Sequence, residues 1–352
     1  MATKGMSVGC TGRGAGFASR VSRLAFLFLA AFSPFFAAAF DSEEWLGKRE
    51  LLSREAERLQ AAYTSCVARI VAPAENVSLP VESHPDGSVK SSIAASGAQF
   101  FLDTGFVWGT NVVVRQTSTN GVVEAEVTAD SCVVDRHTRS GWAEGHAHAR
   151  YLKNEVEGDG IYFSFSEEFV TIYANTRIRA EDQKFDTTAM GMGKGRKGVD
   201  AGTDAKGGAR DAEIVARRTD LDRKAGVILF EGDVRVSDPE YALGADRLFV
   251  FLDGTNALKR IVADGNVTLT NGTRSASCAR AAYVKSAGRV TMYGDGPQRA
   301  RLVEDSHRRD EVEGRKITFW LDSEQVEVDG ATLTVDGGAF GGKDGALKLM
   351  GK

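Results

Sequence analysis

Two histidines are the residues of this chain whose type and spacing most readily suggest chemistry. His146 and His148 alternate with Ala147, which places two imidazoles on one face of a β-strand, a geometry that can bind a metal ion. Leu152 or Lys153 stands where a third, carboxylate ligand would be needed. We therefore predict no metal here and keep a metal site only as a minor alternative.

Paired carboxylates are the second candidate. The two carboxylates of each pair are two residues apart, so they lie on the same face of a strand and could serve acid–base catalysis. They recur at matched places in two parts of the chain and have arginines nearby, so solvated structural charge is the favoured interpretation. The four residues are Glu155, Glu157, Glu311 and Glu313. No phosphate-binding loop, nucleophile elbow or Ser/His/Asp pattern accompanies them, so we expect neither an enzyme nor a cofactor.

Basic clusters near the carboxyl end could bind phosphate groups, since arginine suits bidentate phosphate recognition. The candidates are Arg299, Arg301, Arg308 and Arg309. The alternative is a charged loop that keeps an open sheet edge soluble. The formal net charge is −4, which gives no reason to expect nucleic acid as a partner.

The amino-terminal residues resemble an export signal. Arginines precede an apolar run that ends in three alanines, and we expect cleavage near Ala39, with residues 1–39 removed. The alternative is an uncleaved inner-membrane anchor formed by residues 24–40. Cleavage predicts a periplasmic protein.

Three cysteines follow this signal: Cys66, Cys132 and Cys278. Their odd number, wide spacing and lack of a CxxC pair indicate neither a disulfide framework nor a zinc site. Cys132 lies in an apolar stretch, which favours a buried thiol. Whether any two of them pair stays open.

Residues 40–72 carry the one convincing helical pattern. Trp45, Leu52, Leu59, Tyr63 and Val67 form an apolar stripe among charged residues. The helix could form a coiled coil or dock a partner, but we favour packing across the end of the following β domain. Residues 73–90 contain prolines and predict an extended linker.

The remaining pattern is that of short strands and turns, in residues 91–182 and 213–340. Residues 183–212 between them are rich in Gly, Lys and Asp and predict a flexible linker, and residues 341–352 predict a disordered tail. The fold class is therefore mainly β with one amino-terminal amphipathic helix.

An internal duplication relates the two β segments. Residues 155–163 align without gaps on residues 311–319, and the match continues so that Ile172 falls on Val328. Ile161 and Phe163 alternate on one strand, and each copy is expected to encode a hairpin.

A finer repeat lies in the second segment, where Gly232-Asp233-Val234 resembles Gly265-Asn266-Val267. Each repeat of this motif marks one strand pair, here called a rung, which cannot bury an apolar face alone. Stacking the rungs therefore predicts an elongated, half-open β structure with an apolar interior. The residues expected to line its groove are Val234, Val236, Phe249, Phe251, Val267, Leu269, Met292, Ile317, Phe319 and Val326.

These rungs resemble the organic-solvent-tolerance N-terminal (OstA-like) family, the β-jelly-roll of periplasmic lipopolysaccharide-transport proteins. The resemblance covers about Gly226 to Gly330 and is weaker over residues 97–178. It implies two tandem V-shaped jelly rolls whose inner surface holds the acyl chains of lipid A. It further implies edge-to-edge pairing with like domains or with itself by β-augmentation.

Three hypotheses follow. The leading one is a non-enzymatic periplasmic lipid-binding protein of lipopolysaccharide transport and outer-membrane assembly. The second is a structural envelope scaffold with a packed β-solenoid core and no lipid ligand. The third is a cupin-like metalloprotein, which would use His146 and His148.

Overall fold

The computed structural model describes residues 6–9, 42–151, 154–180, 212–237, 241–253, 258–271, 274–305, 309–320 and 325–335. These residues are mainly β with one α-helix, which confirms the predicted fold class. None of the helical structure in these ranges is long and apolar enough to cross a membrane. Three predicted segments lie outside the described residues: the tail 341–352, the linker 183–212 apart from Ala212, and the export signal apart from residues 6–9.

The described strands form one sheet of 20 strands. Their bounds are β1 Met6–Gly9, β2 Ala74–Ser83, β3 Val89–Phe101, β4 Phe106–Thr117, β5 Val123–Asp135, β6 Ser140–Tyr151, β7 Asn154–Ser164, β8 Phe169–Ala180, β9 Ala212–Ala216, β10 Arg218–Asp222, β11 Val227–Ser237, β12 Tyr241–Leu252, β13 Leu258–Asn271, β14 Arg274–Val284, β15 Arg289–Tyr293, β16 Ala300–Asp305, β17 Arg309–Gly314, β18 Lys316–Trp320, β19 Gln325–Asp329 and β20 Thr332–Val335.

Antiparallel pairing follows chain order from β2 to β8 and from β11 to β14. Some neighbours in sequence behave as halves of one long strand. For example, β9 and β10 both pair with β8 on one side and with β11 on the other. The pairs β15 with β16 and β17 with β18 repeat this arrangement, and β1 pairs with β19.

The segment predicted as an extended linker, residues 73–90, contains strand β2 instead. Pro80 indicated a linker because proline cannot donate a backbone hydrogen bond to a neighbouring strand. In the described part of the chain β2 pairs only with β3, so it is an edge strand, where proline is tolerated.

Many strands bend near their middle. In β11 the pairing shifts between Glu231 and Val234, and in β13 it shifts between Asp264 and Val267. The residues at these shifts, the Gly-Asp and Gly-Asn pairs noted in the sequence, have positive φ. The rung motif is therefore a β-bulge that bends the strand.

Inner-face residues from both halves of a strand meet in one apolar cluster. Ile228 and Val234 of β11 belong to it, as do Ile261 and Val267 of β13. The two halves of each strand therefore face one another as the arms of a V.

The duplicated hairpins share one packing detail. A Cβ atom on Gly158 would lie 2.3 Å from Ile172, and one on Gly314 would lie 2.5 Å from Val328. These are the pairs that the sequence alignment equates. Each copy therefore requires glycine because the return strand passes against it.

Helix α1, Ser42–Val67, packs on the outer face of one arm rather than across the end of the β domain, because its apolar stripe covers apolar residues of that face. Trp45 and Leu59 of the predicted stripe are buried, and Leu52 and Tyr63 pack beside them. Val67 is exposed, so the stripe ends before it.

Candidate functional site

The sheet has two apolar faces. The inner face lies between the arms, and the outer face lies beneath α1. Alternation along a strand separates them, so that Ile228 and Phe230 of β11 point inward while Val227 and Leu229 lie under the helix.

Eight of the ten residues predicted to line a groove share the inner face. They are Val234, Val236, Val267, Leu269, Met292, Ile317, Phe319 and Val326. All are buried or partly buried among other apolar side chains.

Phe249 and Phe251 do not share it, which corrects their predicted placement. They lie on the outer face, where the ring of Phe249 packs edge-on to Trp45 at 6.4 Å between centroids. The pairing of β12 with β13 shifts between Gly244 and Arg247, so the parity of inward positions changes there. Val250, between the two phenylalanines, points inward instead.

A crevice of about 40 Å³ remains between the arms. The sequence predicted only Val267, Leu269 and Met292 of its lining. It is lined by Leu243, Ile261, Ala263, Val267, Leu269, Ala276, Cys278, Ala281, Ala282, Tyr283, Val290 and Met292. Side chains fill most of the interior here.

The inner face continues into the first half of the sheet, which consists of strands β2 to β8. Val112, Cys132 and Ala143 form a second, smaller cluster there, with partly buried residues such as Val134 around it. Ile161 packs against this cluster and against the larger one. One apolar surface therefore runs along the described sheet.

Two cysteines lie on this inner surface. Burial raises the pKa of Cys132 to about 12 and that of Cys278 to about 11, despite backbone hydrogen bonds to Cys278 that act in the opposite direction. Both are free, as is the buried Cys66 on the outer face. Such thiols are poor nucleophiles, because the thiolate is the reactive form.

Two of the four predicted phosphate-binding arginines have hydrogen-bond partners within the protein, and the side chains of the other two are not described. Arg301 donates twice to Glu311, at 2.6 and 2.7 Å, and this pairing raises the pKa of its guanidinium. The exposed Arg299 donates to Thr332 Oγ1 at 2.8 Å. Arg308 lies outside the described residues, and only the backbone of Arg309 is described, in β17.

The histidine pair lies on the surface beside acidic residues of β7. His146 Nδ1 lies 2.8 Å from Asp159 Oδ1, and His148 Nε2 lies 4.0 Å from Glu155. Among the described residues no group of three or more His, Cys, Asp or Glu could hold a metal ion. The pair lies in a row of cross-strand polar contacts with β7.

A known protein family matches the second half of the sheet, which consists of strands β9 to β20. Residues 213–325 match the family model described as LptA/(LptD N-terminal domain) LPS transport protein. These residues are therefore similar to the lipopolysaccharide-transport family that the model describes. The match supports a role in lipopolysaccharide transport, and the family is one of transport proteins.

Among solved structures, the chain is similar to LptH from Pseudomonas aeruginosa, described as the LptA homologous periplasmic component of the conserved lipopolysaccharide transport device. The identity is 17%, the TM-score is 0.31, and the match covers 36% of this chain and 94% of LptH. No curated protein matches the chain.

Proposed function

We propose that this protein carries lipid acyl chains between the arms of its sheet and acts without covalent chemistry in lipopolysaccharide transport. The observation that carries the proposal is the inner apolar surface, whose two clusters share Ile161, in a sheet whose residues 213–325 match a transport family. Apolar burial is the driving force for such a carrier.

The crevice has room for only about three water molecules, so an acyl chain must displace side chains or move the arms apart. Burying ten methylene groups would contribute about 8 kcal/mol, which is enough to offset a modest rearrangement. The smaller side chains of the first half, such as Ala129 and Val134, remain partly exposed and offer an easier entrance.

The lipid phosphates would bind at the margin of this space. Arg299 is exposed there, whereas Arg301 would first have to leave Glu311. Edge strands such as β2 would pair with like domains or with a second copy, because an edge presents unpaired backbone groups.

One pair of variants on the same strand tests the carrier. Leu269→Asp places a charge in the crevice, and Thr268→Asp places the same charge on the exposed opposite face. With delipidated protein and a fluorescent lipid A analogue, we expect saturable binding that Leu269→Asp weakens at least tenfold. Thr268→Asp should bind as the wild type does. Absence of wild-type binding, or equal losses in both variants, would refute the carrier.

The small volume of the crevice favours one alternative, a scaffold whose interior is simply a packed core. The two functions differ in one measurement. A scaffold predicts that lipid A analogue leaves the unfolding temperature unchanged, whereas a carrier is stabilised by its ligand.

We propose a periplasmic location, reached through cleavage near Ala39. Mass spectrometry of the protein isolated from its own cells tests this directly. A chain that retains residues 24–40 would instead indicate the membrane-anchored form.

A further inference from the structure

The two halves of the chain meet at one joint in the sheet. Strand β8 ends the first half, and β9 and β10 begin the second, after residues 181–211. Four residues of β10 and five of β9 pair with β8, and the two short ladders are separated at Arg217. The joint is therefore an interrupted ladder between segments distant in sequence.

Helix α1 straddles this joint. Its 26 residues span about 39 Å, which is about eight strand spacings. The carboxyl-terminal part contacts the first half, where Tyr63 bonds Ser131 at 2.6 Å and Arg58 bonds Asp135 at 2.6 Å. The amino-terminal part contacts the second half.

Those second-half contacts converge on two carboxylates of β10 whose side chains are fully buried. Asp222 accepts hydrogen bonds from Trp45 Nε1 at 3.1 Å and from Lys48 Nζ at 2.9 Å. Asp220 accepts one from Arg49 Nε at 2.7 Å.

Asp220 also connects the two sides of the joint directly. Thr171 Oγ1 of β8 donates to it at 2.8 Å, and Arg218 donates to it from within β10. A buried carboxylate is stable only with such partners, so the buried position of Asp220 depends on α1, β8 and β10 together.

We propose that α1 is a clamp that holds the first half of the sheet on the second. The covalent linker is then not needed for their association, and the two halves act as one rigid unit. This inference does not depend on lipid binding.

Cleavage of the linker tests the clamp. A site for a sequence-specific protease is inserted within residues 190–200 of the full chain, and the folded protein is cut. We expect the two fragments to co-elute in size-exclusion chromatography. Fragments of the wild-type sequence that separate at once would overturn the clamp.

Charge variants then test its chemistry. Lys48→Met with Arg49→Met removes donors to both carboxylates, and we expect fragment separation at least tenfold faster. Arg54→Met is the matched control, because the ion pair of Arg54 with Glu50 stays within α1. Equal separation rates in the double variant and the control would reject the clamp.

A milder variant covers the case in which the double variant does not fold. Trp45→Phe keeps an aromatic ring, although a smaller one, and removes the Nε1 donor to Asp222. It should separate severalfold faster than the wild type, and an unchanged rate would count against the clamp. No lipid is present, so this outcome is independent of the carrier test.

Discussion

At the scale of single residues, the bends in the strands depend on glycine and on polar side chains beside it. Gly265 has a φ of +77°, and a Cβ atom there would lie 2.3 Å from Asp246 Oδ2. The next residue, Asn266, donates to the same carboxylate at 2.9 Å. Asn175 and Asp159 repeat this bond in the first half, at 2.6 Å.

Gly265→Ala is therefore expected to destabilise the protein by about 2 to 4 kcal/mol, since backbone strain and a steric clash both contribute. Gly121→Ala is the control, because Gly121 has a φ of +75° with nothing within 4 Å of an added Cβ. It should cost only about 1 kcal/mol. Urea unfolding measures both, and equal losses would show that the clash at Asp246 is relieved.

Asp264 shows how charge stabilises the sheet. Burial disfavours its charged form, but hydrogen bonds and ion pairs with Arg280 and Arg247 outweigh this and lower its pKa. Its contribution is therefore complete above the ordinary aspartate pKa and is lost as the pH falls through the lowered value.

We expect Asp264→Asn to cost about 1 kcal/mol at pH 7 and progressively less below about pH 4. Asp103→Asn, which breaks an exposed pair with Arg69, should cost less than about 0.5 kcal/mol at pH 7. Urea unfolding at several pH values gives both differences. If the loss of stability in Asp264→Asn stayed constant down to pH 2, it would contradict stabilisation of the Asp264 carboxylate by Arg280 and Arg247.

At the scale of elements, α1 covers an apolar stripe on the sheet. Phe101, Val133, Trp142 and Phe251 lie in it on separate strands, and Leu59 of the helix is fully buried against this cluster. An uncovered stripe of this size would invite aggregation. The helix is therefore part of the fold as well as the proposed clamp.

Leu59→Ala should destabilise the protein by about 2 to 5 kcal/mol through the cavity it leaves. Leu51→Ala changes the same residue type at a position that is 66% exposed, and should alter stability by less than about 0.5 kcal/mol. Thermal unfolding compares them. Similar values for the two would mean that α1 does not pack as described.

At the scale of the whole molecule, the inner and outer apolar regions are separate compartments, and both contain native thiols. Cys278 lines the inner crevice, and Cys66 lies in the cluster beneath the helix. Burial raises the pKa of both thiols.

At pH 8 we expect both thiols to react with a disulfide reagent at least about 100-fold more slowly than in urea, because little thiolate forms and access is restricted. Lipid A analogue should slow Cys278 further and leave Cys66 unchanged. Peptide mapping by mass spectrometry follows each site. Protection of Cys66 by lipid would place the ligand on the wrong face.

The sequence by itself determined the mainly β class, the helix, the duplication and the strand hairpins. These follow from local rules: the two-residue alternation of strands, the apolar stripe around Leu59 and the Gly-Asn rung at Gly265. Eight groove residues were assigned to one face for the same reason.

Only the tertiary structure decided which face Phe249 and Phe251 occupy, because a register shift in β12 changes the parity of every later position. It also decided that β8 pairs with β9 and β10, and that Asp220 and Asp222 meet α1. Those contacts join residues about 170 positions apart. Local patterns carry no information about such pairs, whereas the energy of burying a carboxylate depends on them.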